Sequence, residues 1–198
     1  MGLIAHSKLF ESTPSRYRSF MRRSSTGSLV GIIAGSYLLQ LIIPGYEEKL
    51  LLSRLYIENG QYYRLLTVAL VHGGLLHLGF NLYALHALGT PVENFFGKAK
   101  YSVILLISLI SGSLLSVYFN PAYIYSIGAS GMIFGLFGSL ALISKRIGVE
   151  WRPILVIVGI NFAFGFIAGG VDWRGHLGGL IGGTLITSLL YRNNKFSI

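Results

Sequence analysis

The sequence predicts an all-α polytopic membrane protein, a bundle of six transmembrane helices, from three observations. Of 198 residues, 53% are hydrophobic and 12% are charged, and the mean hydropathy of +0.63 is too high for an ordinary soluble domain. Six apolar segments, at about 29–43, 67–88, 101–119, 127–144, 154–170 and 173–191, each approach the length that carries a helix across hydrocarbon. The cationic residues divide unevenly between the two sides that these segments define. With both termini inside, the cytoplasmic side holds Lys8, Arg16, Arg18, Arg22, Arg23, Lys98, Lys100, Lys145, Arg146, Arg152, Arg192 and Lys195, against Lys49, Arg54, Arg64 and Arg174 outside. This positive-inside bias sets the orientation. Spans two, four and six then enter from the outer face.

Each segment has its own justification. Residues 1–28 form a basic cytoplasmic tail, with Glu11 the sole acid among arginines and serines. A secretory signal needs a short apolar core and a small-residue cleavage site, whereas the first apolar run ends at Pro44-Gly45; an organelle transit peptide is the alternative reading of the tail. The helical domain covers 29–191 and a short cytoplasmic tail covers 192–198. The loop 44–66, with Glu47, Glu48, Lys49, Tyr56, Glu58, Tyr62, Tyr63 and Arg64, suits the headgroup region of the outer leaflet. The net charge of +9 reflects topology and the lipid bilayer, with no nucleic acid partner implied. The absence of cysteine excludes disulfides, thiolate metal sites and a cysteine nucleophile.

Polar residues inside spans are costly and therefore mark function. Here they gather at the outer ends of spans two, four and six: His72, His77, Asn81 and His86; Ser130; and Asp172, Arg174 and His176. At about 100° per residue, His77 and Asn81 share a helix face, His86 lies opposite, and His72 reads as an interface or loop-anchoring residue. Ser130 stands among Gly128, Ala129 and Gly131, small neighbours that permit a tight turn into a helix and a close backbone approach. Gly131, Gly135 and Gly138 on span four and Gly179 and Gly183 on span six form facing small-residue stripes. Such packing would bring His176 within reach of Ser130. Phe134, one turn beyond Ser130, would support the imidazole.

This constellation fits acyl transfer. A serine hydroxyl needs a base, and neutral His176 can take its proton and then protonate the leaving amine. The Ser130 N–H, the Asn81 amide and a His77 ring N–H are candidate oxyanion donors. Asp172, one turn before His176, could orient it, but a helix N-cap or loop role is favoured. A Ser–His dyad is therefore expected, with neither a metal nor a cofactor.

At these residues the chain resembles the rhomboid family of intramembrane serine proteases. The resemblance runs nearly from Leu29 to Tyr191, on Tyr63-Arg64, His72 with His77 and Asn81, Gly128-Ala129-Ser130-Gly131, and Gly175-His176-Leu177-Gly178-Gly179 in that order. It implies the compact six-helix form common in prokaryotes, with Ser130 as nucleophile, His176 as base, and His77 and Asn81 as oxyanion stabilisers. It also implies structural roles for Arg64 and Glu93, and Phe134 where many members carry tyrosine. The implied substrates are transmembrane proteins cut near the outer face of the cell membrane. Span five, with Phe162, Phe164 and Phe166, and the 169–175 loop are the candidate lateral gate. Three other readings compete. An inactive client-binding relative would be expected to lack Ser130 or His176, a transporter would carry polar groups through the full membrane depth, and a metalloprotease would show His-Glu-x-x-His.

Overall fold

The structure, a computed structural model, describes residues 24–150, 152–168 and 170–194. Most of the basic tail, including Arg16, Arg18, Arg22 and Arg23, lies outside them, as do Lys195 and the side chains of Phe164 and Phe166. Helix α1 (Ser25–Ile42) begins four residues before the apolar run at Leu29. Its start is fixed by an anion rather than by hydrophobicity. The Glu93 carboxylate accepts the N–H groups of Ser25 (2.7 Å) and Thr26 (2.9 Å) and the hydroxyls of Ser24 and Thr26 (both 2.7 Å). A helix start has unpaired N–H groups and a positive dipole end, so one buried carboxylate satisfies both needs.

The following loop folds into three short helices, α2 (Tyr46–Leu50), α3 (Arg54–Glu58) and α4 (Arg64–Thr67), and a 3-10 turn at Val68–Leu70. Arg64 is buried at their centre. It donates to the carbonyls of Glu48 (2.6 Å) and Leu51 (2.7 Å) and to Gln61 Oε1 (2.7 Å), with its guanidinium 3.8 Å from the centre of the Tyr56 ring. Five donors on a planar group thus tie the loop to itself.

The second apolar segment departs from the sequence reading. The long helix does not start at Thr67. Val71 and His72 are fully buried in a non-helical stretch, Gly74 takes φ +124, and α5 (Leu75–Phe119) begins after it. Hydropathy cannot distinguish such a buried loop from a helix, because both keep their side chains from water. Within α5, Gly97 (φ 76, ψ 165) is non-helical and divides the element into α5a (75–96) and α5b (98–119). Glycine alone among residues takes this conformation without strain.

Helix α6 (Ser130–Ile147) ends on Gly148 in the left-handed region, and α7 (Arg152–Ala168) and α8 (Trp173–Asn194) follow. Among the described residues, α1, α5 and α6 are long and apolar enough to cross a membrane. Outward-facing Leu38, Leu41, Phe80, Tyr83, Ile160 and Leu185 are exposed, as lipid contact requires of a membrane bundle. Helices α5, α6 and α8 pack most extensively on one another, while α7 touches α6 and α8 sparingly. The expected glycine stripes make the closest contacts. A Cβ at Gly179 would strike the Gly131 carbonyl, one at Gly183 would strike the Gly135 backbone, and one at Gly178 would reach Gly112 and Leu115 of α5b. Backbone approach of this kind fixes how far apart the helix starts of α6 and α8 can lie.

Candidate active site

Ser130 is the first residue of α6, half-buried, and reached through a turn that its neighbours permit. Ser126 pairs with Leu52 as an isolated antiparallel bridge (3.0 and 2.8 Å), and Gly128 N–H donates to the Val68 carbonyl at 2.9 Å. Gly128 itself adopts φ +111, and a Cβ there would lie 2.8 Å from the His77 ring. The small residue is needed both for the turn and for the imidazole above it. Because Ser130 opens the helix, its N–H lies in the first turn, where no helical carbonyl precedes it.

His176 sits one turn into α8, 7% exposed. Its Nε2 is hydrogen-bonded to Ser130 Oγ at 2.9 Å. The ring lies flat on Phe134, with centroids 4.1 Å apart and planes 11° from parallel. Phe134 is held in turn by edge contacts with Phe137 (5.6 Å) and Phe162 (5.4 Å). Stacking on one face leaves the imidazole little rotational freedom, so its Nε2 stays aimed at the hydroxyl.

Among the described residues, the Nδ1 of His176 is buried without a hydrogen-bond partner, and no carboxylate completes a triad. Asp172 is engaged elsewhere. Its Oδ1 accepts from Gly175 N–H (3.0 Å) and Asn120 Nδ2 (2.9 Å), and its Oδ2 accepts from Ser126 Oγ (2.8 Å). It is thus the N-cap of α8 and a clasp on the loop before α6. Burial pushes the Asp172 carboxyl up, but hydrogen bonds from Ser116, Asn120, Gly175 N–H and Ser126 outweigh this and hold it below the usual carboxylate range.

His77 and Asn81 come together on α5a as their spacing predicted. Asn81, 6% exposed, donates from Nδ2 to the His77 carbonyl at 2.8 Å, leaving its second amide hydrogen uncommitted to that bond. Its Oδ1 is buried without a partner among the described residues. Gly73 N–H donates to His77 Nδ1 at 3.2 Å, which places the proton of the neutral ring on Nε2, where it can be donated. Of the two expected roles, His72 takes the loop-anchoring one. It is fully buried, meets His77 edge-on at 5.2 Å, and accepts the Ala129 N–H at Nε2 (3.4 Å). His86 faces outward, away from the site.

Sequence reasoning missed two parts of this neighbourhood. A small cavity beside Ser130 has Ser113, Ser116 and Ser126 in its lining, together with Asp172 and His176. Serines at α5b read as ordinary small helix-packing residues, so no signal singled them out. Gln40 of α1 also reaches the loop that carries His72. A single glutamine near the end of a span attracts no notice.

A Rhomboid domain is matched over residues 59–193. Rhomboid protease GluP of Bacillus subtilis (strain 168) is 40% identical over 142 residues, which cover 68% of this chain and 27% of GluP. The putative rhomboid protease YdcA of the same organism is 32% identical over 144 residues, covering 70% of this chain and 72% of YdcA. RHOMBOID-like protein 7 of Arabidopsis thaliana is 36% identical over 149 residues, covering 71% of this chain and 46% of that protein. The chain therefore spans a minor part of two of these relatives and most of the third.

Proposed function

Because the chain belongs to the rhomboid family, we propose that it is an intramembrane serine endopeptidase working through a Ser130–His176 dyad. The 2.9 Å contact between His176 Nε2 and Ser130 Oγ, on a ring immobilised by Phe134, is the observation that carries this reading. Ser130 Oγ attacks the carbonyl carbon of the scissile peptide as His176 Nε2 takes the hydroxyl proton. The carbonyl oxygen becomes an oxyanion, met by the Ser130 N–H, the His77 Nε2–H and the second Asn81 amide hydrogen. Collapse of that intermediate breaks the C–N bond, and the imidazolium returns its proton to the leaving nitrogen. Water, deprotonated by His176, then releases the acyl group from Ser130.

Six spans with both termini in the cytoplasm put the starts of α6 and α8 at the outer face, so cleavage falls in the outer leaflet. The substrates are transmembrane proteins whose helices unwind there, since a helical peptide bond is shielded from attack. The setting is a prokaryotic cell membrane, and neither a metal nor a cofactor enters the reaction. Gly128 serves by leaving room for His77, and Gly131 presents the backbone on which Gly179 of α8 packs.

The test is labelling of detergent-purified protein by a serine-directed fluorophosphonate, beside cleavage of a transmembrane substrate in lipid. The parent is expected to label and cleave, and Ser130→Ala and His176→Ala to lose both, with thermal unfolding unchanged. A folded parent that neither labels nor cleaves would overturn the protease reading in favour of a client-binding one.

A further inference from the structure

We propose that Gln40, near the outer end of α1, is a positioning residue that sets the tautomer of His77 through a single peptide group. The inference rests on the oxyanion role given to His77 above. Gln40 commits its whole amide to two neighbours. Its Oε1 accepts His72 N–H at 3.0 Å, and its Nε2 donates to the His72 carbonyl at 2.8 Å and to Glu47 Oε2 at 2.7 Å. A carboxylate and a carbonyl both demand donors, so the amide can face them only by its nitrogen. Glu47 thereby locks its orientation.

The His72 carbonyl and the Gly73 N–H are the two ends of one planar peptide unit. Drawing the oxygen toward Gln40 aims the N–H the opposite way, and that N–H is the one that donates to His77 Nδ1. A bond accepted at the oxygen also polarises the group and strengthens its donor. The peptide has little reason of its own to keep this orientation, because Gly73 and Gly74 follow, with Gly74 at φ +124. Without the clamp it could rotate, and the neutral His77 ring would divide between its two forms. The form protonated at Nδ1 presents a lone pair at Nε2, which repels a developing oxyanion instead of binding it.

The chain has five histidines, few enough for 15N-histidine labelling of the full-length protein in micelles, with His77 assigned by its loss in His77→Gln. The parent is expected to show His77 protonated at Nε2. Gln40→Leu is expected to show a mixture of tautomers and a fall in kcat of about tenfold with KM within about twofold, a fraction of what loss of an oxyanion donor costs. Gln40→Glu has the same length and still accepts the His72 N–H but withdraws the donor, so it is expected to shift the tautomer too. It supplies the measurement if the leucine variant does not fold. An unchanged tautomer in a folded variant, or a changed one with unaltered kcat, overturns the proposal. Failure of both variants to fold overturns it as well, marking Gln40 as a structural residue. An inactive parent sinks the protease reading instead, while the tautomer comparison still decides what Gln40 does to His77.

Discussion

Phe134 shows how much of the site's precision resides in a side chain that never meets the substrate's reacting atoms. It contributes a flat apolar face 4.1 Å from the His176 ring, and a tyrosine would offer the same face. Phe134→Tyr should therefore keep kcat within about twofold, whereas Phe134→Ala frees the imidazole and should lower kcat by about tenfold or more. Steady-state cleavage of one peptide by the three proteins checks this, and equal losses in both variants would refute a stacking role. The meeting of Ser130 with His176 was legible because the serine stands among small residues at the start of its span and the histidine is the one imidazole of the sixth span. Gln40 and the serines around the cavity beside Ser130 were not, since their roles come from partners distant in sequence. Gln40 lies 32 residues from His72, and no local pattern encodes that meeting.

Elements were legible where their polarity or composition changes and obscure where only backbone geometry does. The apolar runs located α1, α5b, α6, α7 and α8 to within a few residues. The non-helical stretch at 71–74 was hidden, because its buried Val71 and His72 keep it as apolar as a helix, whereas the break at Gly97 falls in the connection expected between 88 and 101. The start of α8 was legible as an N-cap at Asp172, but its bonds to Asn120 and Ser126 were not. Those bonds give the element a pH dependence whose sign can be worked out. The folded-state pKa of Asp172 lies below its usual value of 3.8, so its stabilisation is complete above about pH 4 to 5 and disappears as pH falls through the folded value. Asparagine can still cap α8 but cannot accept charge-assisted bonds, so Asp172→Asn should lower thermal stability at neutral pH by about 1 kcal/mol, the difference between hydrogen bonds to charged and to neutral groups. That difference should close as pH falls through the folded-state pKa, which lies below 3.8. A gap that persists in acid would show that shape rather than charge is what α8 needs there.

At the scale of the whole molecule, orientation in the bilayer decides which face the dyad serves. The proposed topology, drawn from the distribution of Lys and Arg, would put the turn before α6 outside and the α6–α7 connection inside. The chain has no cysteine, so single cysteines report topology without background. In intact cells a membrane-impermeant maleimide should label Tyr123→Cys, whose parent residue is 71% exposed, and should reach Glu150→Cys only after permeabilisation. The reverse pattern would move cleavage to the cytoplasmic leaflet.

The glycine contacts between α6 and α8 also govern what kinds of sequence change the molecule can absorb. At Gly179 and Gly183 an added methyl would meet the main chain of Gly131 and Gly135, which no rotamer adjustment can relieve. The two helices must instead move apart where they touch. Ser130 adjoins Gly131 and His176 lies three residues before Gly179, so a separation forced at that contact passes directly to the pair. A single alanine at Gly179 acts as a spacer between them. Drift is therefore freer on the lipid-facing surface than at Gly179 and Gly183, which stay closed to anything larger than glycine.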